Sequence, residues 1–228
     1  MPKATLLIIG LLAAGAISSA QTSGDSYVMP KTANPNFYLE VGPSYNRSSD
    51  SDITEFFGGS VAFGWRIAKE HKVQIEVGYY ASNTASESYS ESGVGYAAIV
   101  TAKLDMTAMP VLVSYSYCIP LDTAGRSELR LTPTGGLMAF KAKMKLDVSG
   151  YAPGQAVAAS GDSSSSTTTY AVGAGVGYTY HFSPKIYLDA GIRYLRTGKT
   201  NYNFDGVLPA SMDALNTFTI SASFGWKF

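Results

Sequence analysis

Two side chains in this sequence have the types and spacing of a catalytic pair, His181 and Ser183, with Asp189 as the nearest downstream acid. In acyl transfer the histidine would take the serine proton as the hydroxyl attacks a carbonyl, and an acid would orient the imidazole. Along a strand, positions 181 and 183 would share one face. The competing reading is an interfacial histidine beside a tight Ser183-Pro184 turn, and no oxyanion hole is recognisable around it.

A second set is purely ionic. Glu40, Arg66, Glu76, Arg130, Asp189, Arg193 and Lys227 fall on one face of segments with two-residue alternation. They would line either an ion path or a set of salt bridges, because a charge withdrawn from water needs a partner. Gly173-Ala-Gly-Val-Gly177 spaces its glycines every second residue inside a strand pattern with no helix after it, so it lacks the strand-turn-helix context of a dinucleotide loop. Asp50, Asp52 and Glu55 form an acidic group beside a loop, read as a solvated loop in preference to a weak cation site, and His71 stands alone in a short turn. The single cysteine, Cys118, allows no internal disulfide and no zinc site. No cofactor, metal site or catalytic residue is assigned.

The elements that must position these groups are strands. Eight segments alternate with period two, at about 37–47, 55–67, 72–82, 101–119, 128–140, 169–182, 185–195 and 216–228. The last is the clearest: Phe218, Ile220, Ala222, Phe224, Trp226 and Phe228 oppose Thr217, Thr219, Ser221, Ser223, Gly225 and Lys227. In the others, Val111, Val113 and Ile192 sit on the apolar face and Ser114 on the polar one. An apolar face backed by a polar one, ending on an aromatic, is the pattern of a strand with lipid outside and water inside. Hydrocarbon offers no hydrogen bonds, so such strands must close into a barrel, and eight give a lumen that side chains can fill.

The connections alternate in length. Turns at 68–71, 120–127 and 183–184 are short; those near 48–54, 83–100, 141–168 and 196–213 are mostly longer. The third long loop carries the polar run 161–169, expected to be mobile. Tyr89, Tyr96, Tyr151 and Tyr202 are the loop aromatics expected to make contacts, since binding residues concentrate on loops of rigid scaffolds.

The N-terminus reads as a leader: Lys3, an apolar stretch 5–17, then Ser18-Ser19-Ala20, with cleavage expected after Ala20. Residues 21–36 form a polar tail, the barrel fills 37–228, and no second domain is expected after Phe228. Losing Lys3 leaves one base fewer than the 17 Asp and Glu, a balance that argues against a nucleic-acid partner. Sixteen Tyr and ten Phe suit a surface wet at its ends and oily at its waist.

The alternation, the terminal Phe228 and the stretch Ser183-Pro-Lys-Ile-Tyr-Leu-Asp-Ala-Gly-Ile-Arg-Tyr194 resemble the small OmpA/OmpX-like outer-membrane barrels, including the opacity-type surface proteins. The resemblance implies an all-β, eight-stranded antiparallel up-and-down transmembrane barrel in the outer membrane. It also implies contact with outer-membrane lipids and lipopolysaccharide, and reading of Phe228 by the barrel-assembly machinery. The expected function is that of a non-enzymatic surface protein, serving membrane integrity or binding a host or surface ligand through its long loops. Two alternatives stay open. His181-Phe182-Ser183 resembles the His-x-Ser pair of outer-membrane lipid A deacylases, and a barrel can serve as a narrow pore.

Overall fold

The structure, a computed structural model, describes residues 36–48, 55–93, 96–152, 155–203 and 210–228. The expected leader, the polar tail up to residue 35, and Asp50 and Asp52 lie outside the described residues.

The chain forms β1 (Asn36–Ser48), β2 (Glu55–Ala68), β3 (His71–Ser82), β4 (Ala85–Gly93), β5 (Tyr96–Pro120), β6 (Ser127–Ala152), β7 (Gln155–His181), β8 (Ile186–Thr197), β9 (Thr200–Tyr202), β10 (Ala210–Met212) and β11 (Asn216–Lys227). Every pairing is antiparallel, and the order β1-β2-β3-β5-β6-β7-β8-β11 returns to β1, closing a ring of eight. Closure leaves no unpaired strand edge around the ring, which is the condition for crossing hydrocarbon. β4 pairs only with the outer part of β5, and β9 and β10 form a separate small hairpin.

The two faces sort as the alternation requires. Outward side chains are exposed, with Val41, Val77 and Val113 each at 53%, Ile192 at 57% and Phe218 at 59%. Their inward neighbours are buried: Tyr38 at 1%, Leu112 at 0%, Ser114 at 1% and Thr219 at 1%. Aromatics cluster on the outside toward each end of the belt. Tyr45 packs on Phe57 and Tyr194 on Phe218, with centroids 4.9 and 5.3 Å apart. At the opposite, turn-bearing end Phe228 lies 6.4 Å from Phe37 and 6.3 Å from Phe63. Such girdles mark the two membrane–water interfaces.

The ladder extends well past the expected boundaries. β5, β6 and β7 run 25, 26 and 27 residues, against 12 for β3, β8 and β11. A membrane crossing needs ~9–11 residues of tilted strand, so the surplus stands clear of the belt. Most of the stretches expected as loops at 83–100 and 141–168 are therefore strand, and together with β4 they form a four-stranded wing above the barrel. Ser163 to Thr169, inside the run expected to be mobile, pair residue by residue with Met144 to Met138. The reason lies in the partner. On β6, Lys141, Lys143 and Lys145 alternate with Phe140, Ala142, Met144 and Leu146, a strand pattern of its own, and the Ser/Thr run satisfies that strand's backbone.

Candidate functional site

The candidate site is the interior of the barrel together with the wing that rises from it. Beginning at the turn-bearing end, the Arg66 guanidinium donates two hydrogen bonds to Glu128, at 3.0 and 2.5 Å, and a third to the Lys69 carbonyl at 2.6 Å. Both side chains are withdrawn from solvent, at 7% and 4% exposure. His181 Nε2 stands 3.4 Å from Glu128 Oε1 without hydrogen-bond geometry. Lys227 lies over the Tyr187 ring, 5.5 Å from its centroid.

One layer further in, Glu40 accepts from Tyr187 Oη at 2.7 Å and from Lys72 Nζ at 3.5 Å. The same ammonium stands 4.5 Å from the Tyr38 ring centroid, within cation–π range. Arg130 pairs with Asp189, whose other oxygen accepts from Thr179 Oγ1 at 2.6 Å. Two inward glycines make this layer fit. A Cβ on Gly225 would stand 2.1 Å from the Tyr187 ring, and one on Gly64 2.5 Å from Tyr38. Above it Arg193 grips Glu76 with two bonds, 2.7 and 2.9 Å. A cavity of about 70 Å³ lies between these two layers, bordered by Glu40, Ser44, Glu76, Arg130, Asp189 and Arg193. That is room for a few waters.

The upper lumen is different in kind. Phe56, Tyr80, Met106, Ala108, Leu112, Met138, Phe140, Ala142, Ala171, Leu195, Tyr202 and Leu215 form a continuous buried apolar cluster, with Leu104, Met144 and Met212 against it. Tyr202 of β9, Met212 of β10 and Leu215 after it bring this small pair of strands onto the stopper. The barrel is therefore closed twice, by ion pairs and by an apolar layer.

Of the seven ionic positions read from the sequence, Glu40, Arg66, Glu76, Arg130, Asp189 and Arg193 all enter these pairs. Two partners went unassigned, Lys72 and Glu128. Both were legible in principle, since Lys72-x-Gln74-x-Glu76 and Glu128-x-Arg130 keep the inward period of two. The apolar stopper was also missed. Its signal is the loss of alternation on β5, where Met106, Ala108, Pro110 and Leu112 put apolar groups on the inward face too.

His181 and Ser183 do not form a nucleophile–base pair. β7 ends at His181, whose ring faces the lumen. Ser183 lies in the following turn, where its hydroxyl accepts from the Lys185 and Ile186 amides at 3.3 and 3.0 Å. Among the loop aromatics, Tyr89, Tyr96 and Tyr151 are exposed on the wing, at 68%, 46% and 56%. Tyr202 corrects the expectation: at 3% exposure it belongs to the stopper, because its strand alternation turns it inward. His71 is not an isolated turn residue but stacks on Tyr115 and contacts Tyr117 at the outer rim, with centroids 5.8 and 5.5 Å away. Glu55, the described member of the acidic group, accepts from Tyr45 Oη at 2.9 Å.

Phe228 closes the ring end, its amide donating to the Phe37 carbonyl at 3.0 Å while its side chain stays 66% exposed. Its ring sits in the girdle against Phe37 and Phe63, and recognition during assembly is its proposed further purpose. Deleting Phe228 is expected to reduce the yield of folded protein in the membrane fraction several-fold, measured by quantitative blotting of that fraction. Removing Tyr151 from the wing should leave the yield unchanged, and equal yields for both deletions would contradict the assignment.

Among solved structures, the chain is similar to the Neisserial surface protein A, at 19% identity over 84% of this chain and 97% of the other, with a TM-score of 0.44. It is also similar to Ail, the attachment invasion locus protein of Yersinia pestis, at 14% identity over 86% and 99%, TM-score 0.46. OprG from Pseudomonas aeruginosa matches at 14% identity over 88% and 99%, TM-score 0.36. A comparison with curated proteins found no match. The family model of the outer membrane protein β-barrel domain matches residues 4–228, and the chain belongs to that family, an all-β barrel of the bacterial outer membrane.

Proposed function

We propose that this chain is a non-enzymatic surface protein in which the barrel is an anchor and the wing is the working part. The observation that carries the reading is the combination of a lumen filled by paired charges and an apolar stopper with a four-stranded sheet raised above it. Short turns at the other end support an orientation with the wing outside the cell. Strands that continue past the membrane cost ordering entropy and contribute nothing to crossing it, which supports a use for the wing beyond the bilayer. Its partners are outer-membrane lipids and lipopolysaccharide around the belt, the assembly machinery at the terminal strand, and a host or surface ligand at the wing.

The experiment is a wing-shortened variant, with the β4–β5 and β6–β7 hairpins cut back to tight turns at the rim, compared with wild type in a deletion strain. It should still reach the outer membrane and keep the barrier to detergent, while surface attachment falls to the level of the deletion strain. Loss of the barrier with attachment intact would move the function to membrane integrity. The deacylase alternative is read from lipid A mass spectra, which are expected to be identical for wild type, deletion strain and His181→Ala; lipid A that loses an acyl chain only in the presence of intact His181 would overturn the non-enzymatic reading.

A further inference from the structure

The two faces of the wing are not equivalent. In-register pairs place side chains on the same face. On the face that turns away from the barrel axis, bases and acids stand side by side: Lys143 opposes Asp105, Lys145 lies between Lys103 and Asp162, and Lys145 Nζ lies 3.6 Å from Asp147. The inner face is continuous with the apolar stopper and carries a stripe on its two central strands. Ala98, Val100, Ala102 and Leu104 of β5 stand opposite Gly150, Val148, Leu146 and Met144 of β6. Val100, Ala102, Leu146 and Val148 remain half-exposed above the stopper.

Along one border of that stripe β4 sets Glu87, Tyr89 and Glu91, opposite Ala102, Val100 and Ala98, all three exposed. None of the ion pairs among the described residues involves Glu87 or Glu91. Their cross-strand neighbours are alanines, and Tyr96 Oη, which donates to Glu91 at 3.5 Å, carries no charge, so among the described residues no base on this face offsets them, in contrast to the acids of the outer face. The opposite border, on β7, sets exposed Val157 opposite Gly150 and then small residues, Ala159, Gly161 and Ser163, opposite Val148, Leu146 and Met144.

We infer that the inner face of the wing, resting on the surface-protein reading above, docks an amphipathic helix of a partner protein with lysines or arginines along one edge of its apolar stripe. The dimensions agree. Two strands and half the spacing on either side make a stripe ~10 Å wide, the thickness of one helix. Leucine-type side chains would cover Val100, Leu146 and Val148, while the basic edge would reach Glu87 and Glu91 and lie against the Tyr89 ring. Ala159, Gly161 and Ser163 let the helix approach closely, and Val157 extends the apolar surface toward the tip.

The test uses the full protein in nanodiscs of zwitterionic lipid and a fluorescent Leu/Lys amphipathic peptide of about 18 residues, ~27 Å long as a helix. Wild type is expected to bind it and empty discs are not. Glu87→Gln/Glu91→Gln should weaken binding about tenfold at low salt and remove most of its salt dependence, as expected for the loss of exposed charge partners. Val100→Ser/Val148→Ser should weaken it by a similar factor, while Ser88→Ala/Ser149→Ala on the outer face should not. The glutamine variant preserves shape, so its effect is readable even if the serine variant misfolds. Binding no stronger than to empty discs, equal binding by the glutamine variant, or preference for a Leu/Glu peptide would each overturn the inference. Absence of peptide binding in a protein whose wing-dependent attachment persists would overturn only this inference and leave the surface-protein reading standing.

Discussion

Replacing Asp189 by alanine will destabilise the folded barrel by up to ~3–5 kcal/mol, because it strands the Arg130 guanidinium in the lumen beside a cavity with room for only a few waters. Arg130 and Asp189 are 7% and 4% exposed, and the aspartate also holds Thr179. The loss should appear in urea unfolding of protein refolded into lipid vesicles, followed by Trp65 and Trp226 fluorescence. The charge-swapped pair Arg130→Asp/Asp189→Arg should recover a large part of it, since both charges would again be paired, although the Gly177 side of the pocket is tight: a Cβ there would meet Arg130 Nη2 at 2.9 Å. A single-mutant loss under about 1 kcal/mol, the size of an exposed ion pair, would mean that water reaches the layer.

The second large effect is on the outside of the same wall. Val113→Arg or Ile192→Arg will cost ~2–4 kcal/mol if the position lies at the bilayer midplane, and less toward either girdle. These side chains are 53% and 57% exposed and belong to the apolar belt. The inward neighbour Ser114 gives the contrast. Its hydroxyl pairs with Thr134 at 2.9 Å, and Ser114→Ala forfeits about 1 kcal/mol. The same vesicle unfolding assay separates the two, and equal losses would show the strand register shifted by one residue.

What was legible in the sequence follows from which forces leave a period. The lipid-facing belt is specified by hydrophobicity at every second residue, so the ring strands and their facing could be read from Phe218 to Phe228 or from Val73 to Tyr79. The ionic layer was legible as a list but not as pairs. Arg66 joins Glu128 and Arg193 joins Glu76 across 62 and 117 residues of chain, and such pairing depends on barrel shear, which one sequence does not encode locally. The wing was hidden for a third reason. Ser163 to Thr169 carry almost no hydrophobic signal, and their strand character is imposed by the alternating partner strand Met138 to Met144. Tyr202 was misplaced by the same logic, since its burial is created by the stopper it helps to form.

The claim on which the rest depends is that the barrel is an anchor and not a conduit. Planar-bilayer recording of purified wild-type protein tests it directly. Glu40, Glu76, Glu128 and Asp189 are each engaged by a base, and the lumen above them is filled from Phe56 to Leu215 by apolar side chains. The account therefore expects a silent baseline with only small, rare openings. A large, steady, ion-selective current from the wild-type protein would contradict it and make the lumen, instead of the wing, the functional site.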